Sequence, residues 1–236
     1  MLTMTTLTRL PCVVDTVNMN SKAAGNRGYH HGHLREALID AGVELARTGG
    51  PAAVVLRAAS REAGVSHNAA YRHFASQEDL VAAVAERCMA KLGALMIERI
   101  DQVTARGPVR RAQARLQATG RAYIDFARTE PGWFRTAFSS ARPHGDDGPP
   151  RMPSLDDADA DVTTPYLLLS ARLNELAAVG GMTPEQRDGA EYAAWSAVHG
   201  ISSLLLDGPL RDLPEPEVRR AIDKVLGVIN RGLRVT

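Results

Sequence analysis

The fold is decided by residues 56–74, which read LRAASREAGVSHNAAYRHF. This stretch predicts a short helix, a turn centred on Gly64 and a second short helix that presents His, Asn, Tyr and Arg side chains. We expect Gly64 to adopt a positive φ, because glycine does so at little steric cost. We expect Ser66 to accept a hydrogen bond from the free N–H groups that open the second helix. The layout predicts a helix-turn-helix, in which the second helix enters a DNA major groove.

The bulk composition excludes several classes of protein. The chain has 236 residues, of which 44% are hydrophobic and 23% are charged, enough for a packed core in one large or two small domains. The formal net charge of +1 argues against a non-specific nucleic-acid coat, although a specific DNA reader needs only local positive charge. Cys12 and Cys88 provide no disulfide framework, which agrees with the cytoplasm as the expected location. No apolar run reaches the roughly 18 residues of a membrane span, so we expect no membrane partner.

Helical periodicity flanks the motif on both sides. Apolar residues from Leu34 to Leu45 predict a first helix that stops at Gly49-Gly50-Pro51. The run Ser76-Gln77-Glu78-Asp79 predicts a capping box that opens a long fourth helix, on which Cys88 is expected to be buried and inert. Because two short helices bury little on their own, these neighbours are needed to complete a core.

The remainder of the chain also has helical periodicity. We predict helices from about Val109 to Thr129, around Trp133 to Phe138, over about 165–179, from Thr183 to Leu205, and over about 215–233. No segment alternates with the period of a strand. The predicted fold class is therefore all-α, with a three-helix helix-turn-helix DNA-binding domain over 27–75 and a larger helical bundle for ligand binding and dimerisation over 76–236. We predict a disordered tail over 1–26 and a flexible loop over 143–164, rich in Pro, Gly and Asp.

The polar residues of the predicted second helix of the motif are the candidate DNA contacts. They are His67, Asn68, Tyr71, Arg72 and His73. Asn pairs bidentately with adenine and Arg with guanine, whereas Tyr and His more often bind phosphates. Two alternatives stay open. Tyr71 is partly buried in the core with only its hydroxyl exposed, or Arg72 is an ordinary solvated residue that contacts no base.

A flexible basic and aromatic arm, residues 27–33, precedes the first helix and is suited to lie against a phosphate backbone or in a minor groove. Its histidines His30, His31 and His33 have no Cys or acidic partners, so we predict neither a metal site nor a cofactor.

These residues together resemble the TetR family of bacterial transcriptional regulators. The resemblance covers about Arg27 to Glu86 and rests on the arm YHHGHLR (29–35), the turn GVSH (64–67) and the run YRHFASQEDL (71–80). The segment AWSAVHGISSLLL (194–206) is similar to the effector domain of the subgroup with a Trp-x-x-x-His-Gly signature. The resemblance implies a homodimer formed through the last two helices, a palindromic operator, a small-molecule pocket in the bundle, and repression relieved by the ligand.

Residue by residue, the resemblance implies DNA-facing roles for Ser66, His67, Asn68, Tyr71 and His73, with Tyr29 and His31 on the phosphates. Three positions depart from the family pattern. Val55 replaces a Ser or Thr that often binds phosphate, and Gln77 replaces a common Lys. Ser60 replaces a small apolar residue. The first two departures predict weaker DNA binding, and the Lys loss predicts lower salt sensitivity.

An aromatic-rich region of the bundle is the candidate pocket for a small apolar or amphipathic effector. Its members are Leu92, Met96, Tyr123, Phe126, Trp133, Phe134 and Phe138. For any one of them alone, core packing is the simpler interpretation. His199 is interpreted as a packed residue, while Trp195 is compatible with pocket or interface. The apolar stripes of 192–206 and 218–233 predict the dimer interface.

Two other functions stay open from the sequence. A helical interaction module that has lost DNA binding would fit the missing phosphate-binding residues. A helical-bundle enzyme would need a constellation invisible in sequence, since no nucleophile elbow, P-loop, dinucleotide fingerprint or metal-ligand spacing is present. The favoured prediction is a ligand-responsive, non-enzymatic DNA-binding repressor.

Overall fold

A computed structural model describes residues 30–139 and 164–233, without the side chains of residues 30–32. Within these ranges the regular structure is helical and no strand occurs, as predicted. The helices are α1 (His30–Gly49), α2 (Leu56–Glu62), α3 (His67–Ala70), α4 (Gln77–Asp101), α5 (Pro108–Thr129), α6 (Pro131–Ala137), α7 (Pro165–Ala178), α8 (Pro184–Arg187), α9 (Ala190–Leu206) and α10 (Glu215–Gly232), with a 3₁₀ turn at Pro51–Ala53. The predicted tail over 1–26 and nearly all of the predicted loop over 143–164 lie outside the described residues.

The hydrophobic core has three clusters that follow the order of the helices. The first joins α1, α2, α3 and the N-terminal half of α4 around Leu38, Phe74 and Leu80. The second and third belong to the bundle of α5 to α10, with Leu92 and Met96 contributed by the C-terminal half of α4. The fourth helix therefore runs from one core into the other, so a displacement of the bundle has a direct route to α1, α2 and α3.

Local signals in the sequence explain how α4 begins. Ser76 accepts a hydrogen bond from the Asp79 N–H at 3.1 Å, and the Asp79 carboxylate accepts one from the Ser76 N–H at 2.9 Å. This reciprocal pair is the predicted capping box, and it satisfies two backbone donors that a helix start leaves free. Cys88, three turns later on α4, is fully buried, and burial raises the pKa of its thiol to about 12. The thiol is therefore protonated at neutral pH and inert, as expected.

The prediction of one continuous helix from Thr183 to Leu205 is wrong. The chain instead forms the short α8, which ends at Arg187, and the separate α9, which begins at Ala190. The break occurs because Asp188 is extended, with ψ 122°, and Gly189 adopts a left-handed conformation with φ +63°. Neither conformation continues an α-helix.

No helix in the described ranges has both the length and the apolarity required to cross a membrane.

Candidate nucleic-acid interface and ligand cavity

The turn of the predicted motif is a tight hydrogen-bonded structure. Gly64 has φ +67°, and the Val65 N–H donates to the Ser60 carbonyl at 2.9 Å while the Gly64 N–H donates to the Arg61 carbonyl at 3.2 Å. These two bonds form a Schellman motif, which closes the C-terminus of α2. Nothing lies within 4 Å of a Cβ built on Gly64, so the positive φ alone explains the glycine. The sequence prediction for this turn is confirmed.

Ser66 begins α3 as its N-cap. Its hydroxyl oxygen accepts a hydrogen bond from the Ala69 N–H at 3.2 Å, as predicted. The hydroxyl proton remains able to donate to an outside acceptor such as a phosphate oxygen.

Four of the candidate DNA contacts are exposed on and after α3. His67, Asn68, Tyr71 and Arg72 all face solvent, and Tyr71 is 51% exposed although it is a large aromatic residue. The His67 and Tyr71 rings meet edge to face with centroids 4.7 Å apart. His73 is half-buried. Since Ala70 and Phe74 point into the core, α3 is held from behind while its polar side chains are presented outward.

The helix that carries these contacts is shorter than predicted. The α-helix ends at Ala70, so Tyr71, Arg72 and His73 lie in a turn rather than on a helix. The N–H groups of Arg72 and His73 bond to the carbonyls of Ala69 and Ala70, three residues back, at 3.3 and 2.9 Å. This tighter pattern lets the chain leave the helix axis and still bury Phe74.

The predicted irregular arm is partly wrong, because α1 begins at His30 and includes His33. These residues precede the first predicted apolar position but continue its helical geometry, as helix ends often extend beyond the periodic pattern. Tyr29 lies outside the described residues, and so does the side chain of His31. Their predicted phosphate contacts therefore stay predictions.

The start of α2 lacks a side-chain cap. Val55 occupies the N-cap, is 37% exposed and makes no side-chain hydrogen bond there. Sequence reasoning missed two exposed basic residues on the same helix, Arg57 and Arg61, which lie on one face because they are four residues apart. Their spacing was the available signal. Ser60, the third departure, is buried and donates its hydroxyl to the Leu56 carbonyl at 2.7 Å, which explains how a polar residue is accommodated.

A packed junction joins the bundle to α1. Trp133 on α6 contributes to both the first and the second core cluster, and the Arg47 and Lys91 cations lie over its ring, 5.0 and 4.6 Å from the centroid. Arg47 also donates two hydrogen bonds to the Glu130 carboxylate, at 2.9 and 2.8 Å. The junction gives the bundle a second route to the DNA-binding helices, besides α4.

An aromatic cluster occupies the middle of the bundle. The Tyr123 ring contacts the rings of Phe134, Phe138 and Trp195, with centroids 5.4 to 5.8 Å apart. Its hydroxyl lies 2.8 Å from His199 Nδ1, and burial lowers the pKa of His199, which favours the neutral ring. The structure therefore places His199 as a packed, hydrogen-bonded residue.

An apolar cavity lies beside this cluster, between α4, α5, α7, α9 and α10. Of the seven predicted pocket residues, Met96 and Tyr123 line it. Leu92, Phe126 and Phe134 are buried in the second core cluster, while Trp133 and Phe138 pack partly buried against it. Sequence reasoning missed the walls contributed by α9 and α10, because residues far apart in the chain form them. No cluster of His, Cys, Asp and Glu suited to a metal occurs in the described part of the chain.

Large apolar side chains are exposed on α9 and α10. Tyr192 is 70% exposed, Leu204 is 42% exposed and Val228 is 50% exposed. Tyr192 and Leu204 fall within the segment 192–206, and Val228 within 218–233, the two stretches that the sequence analysis assigned to a subunit contact.

Two family models match the chain. Residues 38–84 match the model described as bacterial regulatory proteins, tetR family, and residues 116–229 match the tetracyclin repressor-like C-terminal domain. The first match covers the helix-turn-helix, and the second covers most of the bundle and most of the residues that line the cavity.

Solved structures share the fold over most of the chain. A protein of unknown function from Rhodococcus sp. RHA1 is 24% identical with a TM-score of 0.63, over 89% of this chain and 100% of that one. A putative tetR family transcription regulator from Shewanella sp. PV-4 is 15% identical with a TM-score of 0.53, over 86% and 99%. A third structure, described as the molecular basis for control of antibiotic production by bacterial hormones, is 20% identical with a TM-score of 0.56, over 86% and 98%. No curated protein sequence matches the chain.

Proposed function

The chain belongs to the TetR family of bacterial transcriptional regulators, and we propose that it binds a palindromic operator as a homodimer and represses transcription until a small molecule releases it. The family makes the protein a helix-turn-helix DNA-binding regulator, which points away from an enzyme. Its place of action is the cytoplasm, where bacterial DNA lies.

The observation that carries the proposal is the exposed polar surface of the helix-turn-helix. His67 and Asn68 project from α3 and Tyr71 from the turn that follows it, and the Schellman turn and the Ser66 cap fix the start of this segment. In this proposal Asn68 and Arg72 read base edges, while Ser66, Tyr71 and the two histidines His67 and His73 bind phosphates. Tyr29 and His31 add phosphate contacts from the N-terminal side.

Two further basic residues support the electrostatic side of DNA binding. Arg57 and Arg61 lie exposed on α2, in the half of the motif that lacks a capping hydroxyl at Val55. We assign them to phosphates, in place of the backbone contact that a Ser or Thr at the helix start would make.

We base dimerisation on the exposed apolar side chains of α9 and α10. Tyr192, Leu204 and Val228 expose large parts of their apolar surface to water, and a two-fold contact between copies removes such surface from solvent. A two-fold dimer also presents two copies of α3, which must lie roughly 34–36 Å apart to enter successive major grooves. The operator is palindromic because it matches this symmetry.

Release by a small molecule follows from the connection between cavity and DNA-binding helices. A ligand that favours a bundle shape in which the two α3 copies of the dimer lie at a different distance lowers the affinity for the operator. By linkage, the operator lowers the affinity for the ligand by the same factor. The long α4 and the Trp133 junction are the two structural routes for that coupling.

A salt-titrated binding assay tests the proposal. Full-length protein is titrated against DNA from upstream of its own gene and against a scrambled fragment of equal length, while sedimentation measures its mass. We expect a dimer that prefers the upstream fragment, with affinity that falls as salt rises. A monomer at micromolar concentration, or equal affinity for both fragments, would contradict the proposal and favour the interaction-module alternative.

A further inference from the structure

The cavity of the bundle has a chemical character that restricts what it can bind. Its walls include Met96, Leu169, Trp195, Val198 and Leu226, and none of the described residues that line it carries a charge. Moving an ion from water into such a site without a charged partner is strongly unfavourable. An occupant of this cavity is therefore neutral and mostly apolar.

The cavity has a limited volume in the unliganded protein. The free space between the side chains is about 500 Å³ when the open mouth is included. Tyr123 and Trp195 contribute aromatic surface to its walls. A molecule larger than this space has to push the surrounding helices apart.

One polar atom among the described residues of the cavity wall lacks a hydrogen bond. Asn230 on α10 lines the cavity, and its side-chain oxygen Oδ1 is shielded from solvent with no donor from the described part of the chain. The other buried polar groups of the wall are occupied: the Thr119 hydroxyl donates to the Arg115 carbonyl at 2.9 Å, and the Tyr123 hydroxyl is paired with His199. A buried acceptor without a partner is uncommon in folded proteins and is unfavourable by itself.

A partner subunit is a poor donor for this oxygen. The atom is already shielded by the protein's own chain, on the side of α10 that faces the cavity rather than on the side of the exposed Val228. A molecule inside the cavity reaches Asn230 directly.

We propose that this cavity takes a neutral, mostly apolar molecule with one hydrogen-bond donor, and that Asn230 Oδ1 accepts that donor. The inference rests on the proposed function, since it names the chemistry of the effector of that same bundle. It also gives the effector a mechanical role. Leu226 lines the cavity and lies so close to α5 that a Cβ on Gly120 would approach it to 2.9 Å, so an occupant that widens the cavity displaces α10, a helix of the proposed dimer contact.

Matched two-ring probes test the inference in the full-length protein without DNA. Indole, indene and benzofuran have nearly the same shape but present an N–H donor, a CH₂ group and an acceptor oxygen, while indole-2-carboxylate keeps the donor and adds a charge. Each is titrated by calorimetry. We expect indole to bind about tenfold tighter than indene and benzofuran, which is the scale of one buried hydrogen bond, and the carboxylate to bind at least tenfold more weakly than indole.

The variant Asn230→Leu has a similar volume and no acceptor. We expect it to bind indole and indene equally and to unfold at a higher temperature, because the unpaired acceptor is gone. Gln102→Met, which removes an exposed amide at the end of α4, is the matched control and retains the native preference for indole. If Asn230→Leu does not fold, the ranking of the probes by the native protein remains a complete test.

Three results would overturn the inference: no preference for indole in the native protein, a preference that survives in Asn230→Leu, or no binding of any neutral probe. The assay is independent of DNA. Its failure would leave operator binding and dimerisation intact, whereas failure of the operator assay would leave probe selectivity unchanged.

Discussion

The indole Nε1 of Trp133 donates a hydrogen bond to the backbone carbonyl of Val43 at 2.8 Å. The bond joins α6 of the bundle to the middle of α1, the first helix of the DNA-binding domain. Phe134, the next residue on α6, lies against Tyr123 in the aromatic cluster. Two neighbouring side chains, Phe134 and Trp133, therefore connect Tyr123 in the bundle interior to the backbone of α1.

Trp133→Phe should weaken this junction while it keeps an aromatic ring in place. We expect the free energy of unfolding to fall by about 1–2 kcal/mol, from the lost hydrogen bond and the smaller ring. Urea denaturation of the native and variant proteins measures the difference. Trp195→Phe is the control. The Trp195 ring lies in the bundle alone, so this variant leaves the junction intact and retains operator affinity. Unchanged stability in Trp133→Phe would show that the junction contributes little.

Gly132→Ala should disrupt the same junction by a steric clash. A Cβ at Gly132 would lie 2.2 Å from the Ala46 carbonyl oxygen and 2.3 Å from that of Arg47, and backbone atoms cannot move aside cheaply. We expect a loss of about 1–3 kcal/mol in the free energy of unfolding, measured by thermal or urea denaturation. Gly200→Ala on α9, where nothing lies within 4 Å of the added Cβ, should instead gain about 0.5–1 kcal/mol from helix propensity. Equal effects at both glycines would contradict the prediction.

Tyr71→Ala should weaken DNA binding uniformly. The side chain is half exposed beside His67, and we assign its hydroxyl to a phosphate, which carries no sequence information. We therefore expect lower affinity for the operator and for scrambled DNA by a similar factor, with an unchanged unfolding temperature. Fluorescence anisotropy on both fragments measures this. A loss confined to the operator would mean that Tyr71 reads a base.

Asn68→Ala should change sequence preference instead. An Asn that pairs bidentately with adenine contributes about 1–3 kcal/mol of discrimination at one base pair. We expect the variant to tolerate substitution at one position of each half-site, while its affinity for scrambled DNA is unchanged. Competition binding with single-substituted operators identifies the position. Retention of the full native preference at every position would remove Asn68 from the base-reading set.

Acid should destabilise the protein through Glu191. Burial raises the pKa of this carboxyl, but hydrogen bonds from Arg187 and Ser170 outweigh burial and hold the pKa below its ordinary value of 4.5. A group whose folded pKa is depressed stabilises the fold above its unfolded pKa, and this contribution disappears as the pH falls through the folded pKa. We expect the free energy of unfolding to drop below about pH 4.5.

Urea denaturation at several pH values between about 3 and 7 measures this loss. Glu191→Gln should show a flatter pH dependence than the native protein, whereas Glu62→Gln, an exposed position on α2, should match the native protein. If the free energy of unfolding of Glu191→Gln depends on pH as strongly as that of the native protein, the acid sensitivity comes from other carboxyls.

Features encoded by neighbouring residues were predictable from the sequence alone. The Gly64 turn, the Ser66 cap, the Ser76–Asp79 capping box and the bounds of α5 and α10 depend on backbone bonds over a few residues, so their signals lie in consecutive positions. The family resemblance comes from the same local segments, and it was sufficient for the fold class and for a DNA-binding regulator.

The end of α3 at Ala70 was not predictable in this way. Polar residues continue the helical pattern past Ala70, but burial of Phe74 requires a tighter turn, so packing there competes with local helix propensity. The break at Gly189 did have a local signal that the sequence analysis missed. Asp-Gly pairs mark turns, and Gly189 adopts a left-handed φ between α8 and α9.

The sequence by itself determined the helices, their caps and the polar surface of the motif, because those depend on interactions along the chain. Only the tertiary structure decided where the cavity lies, that Asn230 faces it with no donor from the described residues, and that Trp133 is bonded to α1. These features depend on which faces of distant helices meet, and helical periodicity marks a buried face without naming the helix that covers it.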